Sequence, residues 1–234
     1  MRFYILSDLH IQYPNDEAPT QWVDHFCTFL RSNPFEETWI FILGDIIDKG
    51  NDQAYVIAER IFSKLSMQFQ DDRFHFVFLP GNHDYCDGNL NAYTSFTQRH
   101  QTSRIGYLNF NTQRVWNFEY EDVNFILADS VQDGNYRLPG CLDLEGIQQH
   151  FVPEKTNMLF LHHSLLFEDH YDHSGIVDQG ATFDLLRDIG ISFVFHSHTH
   201  TTRFQTLGEN IHQYGIGSIR SGLSGESNEN VTIQ

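Results

Sequence analysis

The sequence is short of several things, and each shortage excludes something. It has three cysteines, Cys27, Cys86 and Cys141, an odd number with no C-x-x-C pair among them. That argues against a disulfide framework and a sulfur-ligated metal, and suits a reducing compartment. Basic residues are scarce, 14 Lys and Arg against 31 Asp and Glu, which gives a formal net charge of −17. Such a surface repels nucleic acid and anionic membrane, so neither is an expected partner. No apolar run approaches membrane-spanning length. Met1-Arg2 leads through a short apolar run straight to Ser7-Asp8, with no signal-peptide pattern, and the chain is expected to be cytoplasmic. It shows no internal repeat and no low-complexity linker, so residues 1–234 are read as one domain.

What is abundant is phenylalanine and histidine, 21 and 14 residues. The first predicts a Phe-rich core. The second supplies metal ligands and proton carriers. Short apolar runs recur at Phe3–Leu6, Trp39–Leu43, Phe74–Leu79, Val123–Ala128, Met158–Leu161 and Ile191–Phe195, and read as buried strands. Two later stretches, near Thr202–Leu207 and Ile211–Ile216, read as edge strands. Helical periodicity lies between several of them. Trp22, Val23, Phe26, Phe29 and Leu30 share a face after Thr20, a candidate N-cap. Ala54, Ala58, Ile61, Phe62 and Leu65 form a second stripe, and Phe183, Leu186 and Ile189 a third. Alternating strands and helices predict βαβ units and a largely parallel sheet. The later hairpin-like strands predict a second sheet, the two packed as a sandwich with outer helices.

Nearly every apolar strand ends in a polar cluster. In open α/β sheets, ligand sites lie off the carboxyl ends of strands, so these clusters can converge. The clusters are Ser7-Asp8-Leu9-His10, Gly44-Asp45-Ile46-Ile47-Asp48-Lys49-Gly50, Pro80-Gly81-Asn82-His83-Asp84, His162-His163-Ser164 and His196-Ser197-His198-Thr199-His200. In extended chain, Asp8 and His10 point the same way, as do His198 and His200. Gly44 permits a tight turn that presents Asp45, whose two oxygens could bridge two cations. Asn82 offers a neutral oxygen ligand and His83 a proton donor or acceptor. Each cluster alone has a bland reading as a polar turn. Five together, all in metal-compatible chemistry, do not.

In that order, D-x-H, G-D-x-x-D, G-N-H-D, H-H and x-H-x-H resemble the calcineurin-like metallophosphoesterase superfamily. The resemblance spans Asp8 to His200. It implies an α/β fold, a four-layer α/β/β/α sandwich with two mixed β-sheets and a metal site at the carboxyl ends of the strands. It also implies two divalent transition-metal ions, Mn, Fe or Zn. Carried onto this chain, one ion would be held by Asp8, His10, Asp45 and His200, and the other by Asp45, Asn82, His162 and His198. The all-oxygen-and-nitrogen donor set agrees with those metals. Two such ions ~3.5–4 Å apart can share a hydroxide that attacks phosphorus in line. His83 would protonate the leaving oxygen or stabilise the transition state, oriented by Asp48 or Asp84, with the resemblance favouring Asp48. Lys49, His163 and His170 are candidate substrate contacts, with His163 more a neighbour of the ligands than a ligand.

Within the superfamily, the protein Ser/Thr phosphatases carry Arg at the positions of Lys49 and Pro80, so this chain does not resemble them. It is most similar to the cyclic-nucleotide phosphodiesterase-like (Icc-type) branch, which shares Asp129-Ser130, a Gly-Leu segment around Gly140, and H-H before a variable loop. It departs from that branch at Leu165-Leu166, where prolines usually stand, and at Ser197, where glycine does. The loop Glu168–Asp178, with His170, Tyr171, Asp172 and His173, reads as a lid or a solvated polar loop. The expected substrate is a small phosphate mono- or diester. The alternatives are nucleotide pyrophosphatase activity and a noncatalytic interaction module on the same fold.

Overall fold

A computed structural model of the chain describes residues 2–14, 18–32, 37–69, 73–135, 137–167 and 173–219. The elements run β1 (Arg2–Leu6), α1 (Ala18–Ser32), β2 (Thr38–Leu43), α2 (Ala54–Gln68), β3 (Phe74–Leu79), α3 (Asn91–His100), β4 (Val115–Tyr120) and β5 (Val123–Ala128). They continue with α4 (Leu144–Gln149), β6 (Thr156–Phe160), α5 (Gln179–Ile189), β7 (Phe193–His196), β8 (Arg203–Leu207) and β9 (Ile211–Gly215). The strands form two sheets, ordered β1-β2-β3 and β4-β5-β6-β7-β9-β8.

Alternation of side chains explains the layers. In β5, Phe125 and Leu127 join the larger core between the sheets, while Ile126 and Ala128 join a second core on the other face. β6 and β7 repeat this, with Phe160 and Phe195 inward and Leu159, Leu161 and Val194 outward. The outward face is covered by α4 and α5 through Ile147 and Leu186. On the first sheet, Phe76 and Phe78 meet Phe62 of α2, and Phe78 also meets Phe96 of α3. The order is therefore helix, sheet, sheet, helix. Between the sheets lies a nearly continuous aromatic stack, with Phe41 on Phe160 at 4.6 Å, Phe160 on Phe195 at 4.9 Å and Phe195 on Tyr214 at 5.1 Å. Each fully buried Phe contributes ~1.5–3 kcal/mol of hydrophobic stabilisation. That stack fixes the two sheets face to face, and so the relative position of their strand ends.

Several expectations need correction. The first sheet is parallel throughout its described strands, and the mixture lies in the second. There β5, β6, β7 and β9 are parallel, and only the two edge strands β4 and β8 run antiparallel. The later hairpin is thus not a separate sheet. β9 is an interior strand, hydrogen-bonded to β7 on one side and β8 on the other. Thr20 does not cap α1, which starts at Ala18 with Pro19 in its first turn, a position where a missing N–H costs nothing. Among the side chains described in α1, Val23, Cys27 and Leu30 are buried, while Phe29 remains 44 % exposed; Trp22 lies outside them. The α2 stripe is as expected, with Ala54, Ala58, Ile61, Phe62 and Leu65 all buried. No described helix is long and apolar enough to cross a membrane.

Candidate metal centre

The carboxyl ends of β1, β2, β3, β6 and β7 deliver the polar clusters to one place. They do not do so by strand alternation. Asp8, His10, Asp45, His198 and His200 all have positive φ, between 44° and 68°. Asp8 and His10, and likewise His198 and His200, therefore converge through left-handed turns rather than extended chain. For non-glycine residues that backbone costs ~1–2 kcal/mol each and persists only where the surroundings over-determine it. Five of the ten described non-glycine residues with positive φ gather here, as backbone strain tends to at functional sites.

Two glycines make the approach possible. Gly44, at φ +87°, stands so close to Gly81 that a Cβ on Gly44 would lie 2.4 Å from Gly81 N. A Cβ on Gly81 would lie 2.3 Å from Asp45 Oδ1 and 2.8 Å from His162 Cε1. The loops after β2 and β3 are thus in backbone contact beneath the ring of His162. Asp84 braces the same junction. Its carboxylate accepts from Gly81 N–H at 2.9 Å, Ile46 N–H at 3.0 Å and Tyr55 O–H at 2.9 Å.

The side chains form two adjoining groups. In one, His10 Nε2 lies 2.9 Å from His200 Nε2, and Asp8 Oδ1 lies 3.4 Å from His200 Nε2 and 3.8 Å from His10 Nε2. In the other, His162 Nε2 lies 2.8 Å from Asn82 Oδ1 and 3.1 Å from His198 Nδ1. Asp45 joins them. Its Oδ1 accepts from His83 N–H at 2.8 Å, while its Oδ2 lies 3.6 Å from His10 Nε2 and 3.4 Å from His162 Nε2. One oxygen, not two, therefore faces both groups.

These residues fit metal ions. Atoms about 2.1 Å from a common ion lie about 3.0–3.4 Å apart, and the distances within the two groups, 2.8–3.8 Å, bracket that range. Asp8 Oδ1 is buried without a hydrogen-bond donor in normal geometry, an arrangement that is costly unless a cation satisfies it. Electrostatics agree. Burial would raise the Asp45 carboxyl, but His162 and then His10 and His83 outweigh it and hold it well below its ordinary range. Asp8 is lowered in the same way, burial being overcome by His200 and His162. Burial also acts on the histidines. It lowers His198 to about 4, with help from neighbouring His162, and lowers His10 against the pull of Asp45 and Asp8. His200 and His162 go the other way, His200 being raised by its contact with Asp8. Asp45 and Asp8 overcome the burial of His162 and push it up to about 9. A proton on His162 Nε2 thus sits among Asp45 Oδ2, Asn82 Oδ1 and His198 Nδ1, where a cation would be held.

Beside the groups opens a cavity of ≈ 440 Å³ lined by His10, Gln12, Asp45, Asp48, His83, His198 and His200. His83 Nδ1 lies 3.2 Å from Asp48 Oδ1 and accepts from Lys49 N–H at 2.8 Å. Asp48 Oδ1 also lies 3.7 Å from His10 Nδ1, and Gln12 Nε2–H donates to Asp48 Oδ2 at 3.1 Å. Asp48 thus stands behind both His83 and His10.

Seven candidate ligands, His83 and Asp48 are therefore brought together. Four other candidates are not. Asp84 faces the backbone and Tyr55, not His83, so of the two candidate partners only Asp48 reaches that ring. His163 is fully buried behind His198, with Ser130 Oγ 2.9 Å from its Nδ1, and does not line the cavity. Lys49 reaches only the rim, its side chain 76 % exposed and its Nζ 3.7 Å from Asp48 Oδ2. His170 lies outside the described residues, as does the first part of its loop. The later part, Ser174–Val177, is hydrogen-bonded to Ser164 and Gly140. Gln12 carried no signal of its own, being an isolated polar residue two places after His10.

Residues 1–202 match the family described as calcineurin-like phosphoesterase. Among curated proteins none matches the sequence. Among solved structures, the fold is similar to a dimetal phosphatase from Danio rerio at TM-score 0.66 and 12 % identity, covering 92 % of this chain and 87 % of that one. It is also similar to GAP50, the anchor in the inner membrane complex of Plasmodium, at TM-score 0.62 and 15 % identity, covering 100 % of this chain and 75 % of that one. At such identities these two likenesses concern the fold.

Proposed function

Because the chain belongs to the calcineurin-like phosphoesterase family and is a metal-dependent phosphoric ester hydrolase, we propose that it cleaves a small phosphate mono- or diester with water at a two-ion centre. One ion would be held by Asp8, His10, Asp45 and His200, the other by Asp45, Asn82, His162 and His198. The observation that carries this reading is the single oxygen, Asp45 Oδ2, within 3.6 Å of His10 Nε2 and 3.4 Å of His162 Nε2. The nitrogen and oxygen donors suit Mn, Fe or Zn. When bound, such ions supply Lewis-acid stabilisation of the phosphoryl oxygens and activation of water.

The chain's own groups do the rest. His83 N–H fixes Asp45 Oδ1, which leaves Oδ2 for the shared position. In the neutral ring His83 Nδ1 accepts from Lys49 N–H; to act as an acid the ring must carry both protons, its Nδ1–H then donating to Asp48 Oδ1, 3.2 Å away, and its Nε2–H serving as the acid. Asp48 stabilises positive charge on that ring, so Nε2–H can be delivered to a departing oxygen in the cavity. Gln12 holds Asp48 in place. His163, behind His198, supports that ligand's ring rather than touching substrate. Asp84 keeps the loops of Asp45 and Asn82 in register.

The test is hydrolysis of bis(p-nitrophenyl) phosphate by metal-stripped protein reloaded with Mn²⁺, in ¹⁸O-labelled water. Activity should depend on the metal, vanish with chelator, and place the label in the phosphoryl product within one turnover. A trapped phosphorylated side chain would overturn the mechanism. A parallel panel of monoesters, cyclic nucleotides and nucleoside diphosphate sugars separates ester hydrolysis from diphosphate cleavage.

A further inference from the structure

Ser197 occupies the position between β7 and the ligand pair His198 and His200. Its side chain is fully buried. Unlike His198 and His200, it does not have left-handed backbone, so a side chain here causes no strain. Its Oγ–H donates to the Leu43 carbonyl at 2.6 Å, and its Oγ lies 2.8 Å from His162 Nδ1. His162 Nδ1 is itself 2.8 Å from the same carbonyl. A carbonyl oxygen only accepts, so Nδ1 carries a proton. That proton lies between two acceptors, Leu43 O and Ser197 Oγ. The ring's other nitrogen, Nε2, is thereby turned toward Asn82 Oδ1 and Asp45 Oδ2. Leu43 immediately precedes Gly44-Asp45, so this contact ties the chain end that delivers Asp45 to the ring of His162. Glycine, expected here from the family resemblance, would keep the backbone bond from residue 197 N–H to His162 O at 3.0 Å. It would lack both side-chain bonds.

We infer that Ser197 is a positioning residue for metal binding: its hydroxyl, bonded to the Leu43 carbonyl and to His162 Nδ1, holds the His162 ring with Nε2 toward Asn82 and Asp45 and so sets the affinity of the His162 site for a divalent cation. The inference rests on His162 being a ligand, as proposed above. Groups that orient a ligating histidine through its second nitrogen typically change metal affinity by roughly 10–100-fold.

The experiment titrates Zn²⁺ into metal-free full-length protein in competition with a chromophoric chelator. Ser197→Ala and Ser197→Gly should each weaken one of the two ions by roughly 10–100-fold and leave the other within about threefold. Ser7→Ala is the control. Its hydroxyl also donates to Leu43 O, at 3.2 Å, and has no hydrogen bond to His162, so both affinities should hold. Long-range ¹H–¹⁵N spectra of the zinc-loaded protein give a second readout. The His162 Nδ1–H resonance should be slow to exchange in the wild type and faster in both Ser197 variants. The glycine variant keeps the test open if alanine fails to fold. Unchanged affinities together with an unmoved resonance would overturn the inference. His162→Ala separates the two claims. If it still binds two ions, the ligand assignment fails and the inference with it. If it binds one while the Ser197 variants match wild type, only the inference fails.

Discussion

Replacing His83 by alanine separates catalysis from metal binding. The backbone N–H of residue 83 anchors Asp45 Oδ1 at 2.8 Å, and alanine retains it. The ring itself is partly exposed on the cavity wall, edge-on to His10 at 4.8 Å. Its removal should therefore leave both ions and the melting temperature near wild type. What is lost is the Nε2–H aimed at a leaving oxygen and the charge that Asp48, 3.2 Å from Nδ1, would stabilise. General acid assistance is worth ~10²–10⁴-fold, or about 2.7–5.4 kcal/mol of transition-state stabilisation. On an alkyl phosphate ester His83→Ala should lose that much in kcat. On a nitrophenyl ester, whose leaving group needs little proton, the loss should be smaller by about tenfold or more. Asp48→Asn should show the same leaving-group contrast in weaker form. Steady-state kinetics on a series of esters, with metal content measured on each preparation, is the assay. Equal losses on good and poor leaving groups would refute the acid role and leave His83 as a hydrogen-bond donor to the phosphoryl oxygens.

Further expectations follow from the same geometry. His162, pushed up to about 9, is protonated at neutral pH in metal-free protein, whereas His198, lowered to about 4, is not. Binding at His162 must therefore release a proton. Apparent affinity for that ion should rise about tenfold per pH unit up to about pH 9 and then level. Calorimetry in two buffers of different ionisation heat checks this, and zero proton release at pH 7.5 would contradict it. Gly81→Ala would bring a Cβ within 2.3 Å of Asp45 Oδ1. It should cost about 1–3 kcal/mol or more in a thermal melt and lose an ion. Gly180→Ala in α5 meets nothing within 4 Å and needs no positive φ, so it should stabilise by about 0.5–1 kcal/mol.

How much of this was legible from the sequence depends on what each residue had to say locally. Strands buried on both faces announce themselves as apolar runs, and β3 and β5 fall where their runs do. β4 alternates weakly, with only Val115 and Phe118 buried, because it is an edge strand. α3 buries just Tyr93, Phe96 and Thr97 among otherwise polar residues, and α4 is six residues long with Ile147 alone buried. Neither carries a stripe strong enough to read. Which strands share a sheet, and how the two sheets face each other across the stack from Phe41 to Tyr214, is a nonlocal matter that no one segment carries. The candidate ligands could be picked out from the sequence because ligand chemistry resides in residue types. The way they assemble could not. Positive φ at Asp8, His10, Asp45, His198 and His200 is imposed by the surrounding loops, and single residues do not declare it. Asp84 illustrates the same limit. Its neighbour His83 made it a candidate partner, yet the turn aims its carboxylate at Gly81, Ile46 and Tyr55.

The most direct test of the two-ion centre is metal stoichiometry by elemental analysis after stripping and reconstitution, in wild type and Asp45→Ala. The account predicts two ions per chain in the wild type and at most one once the shared oxygen is gone. A wild-type value that saturates at one, unchanged in Asp45→Ala, would contradict it.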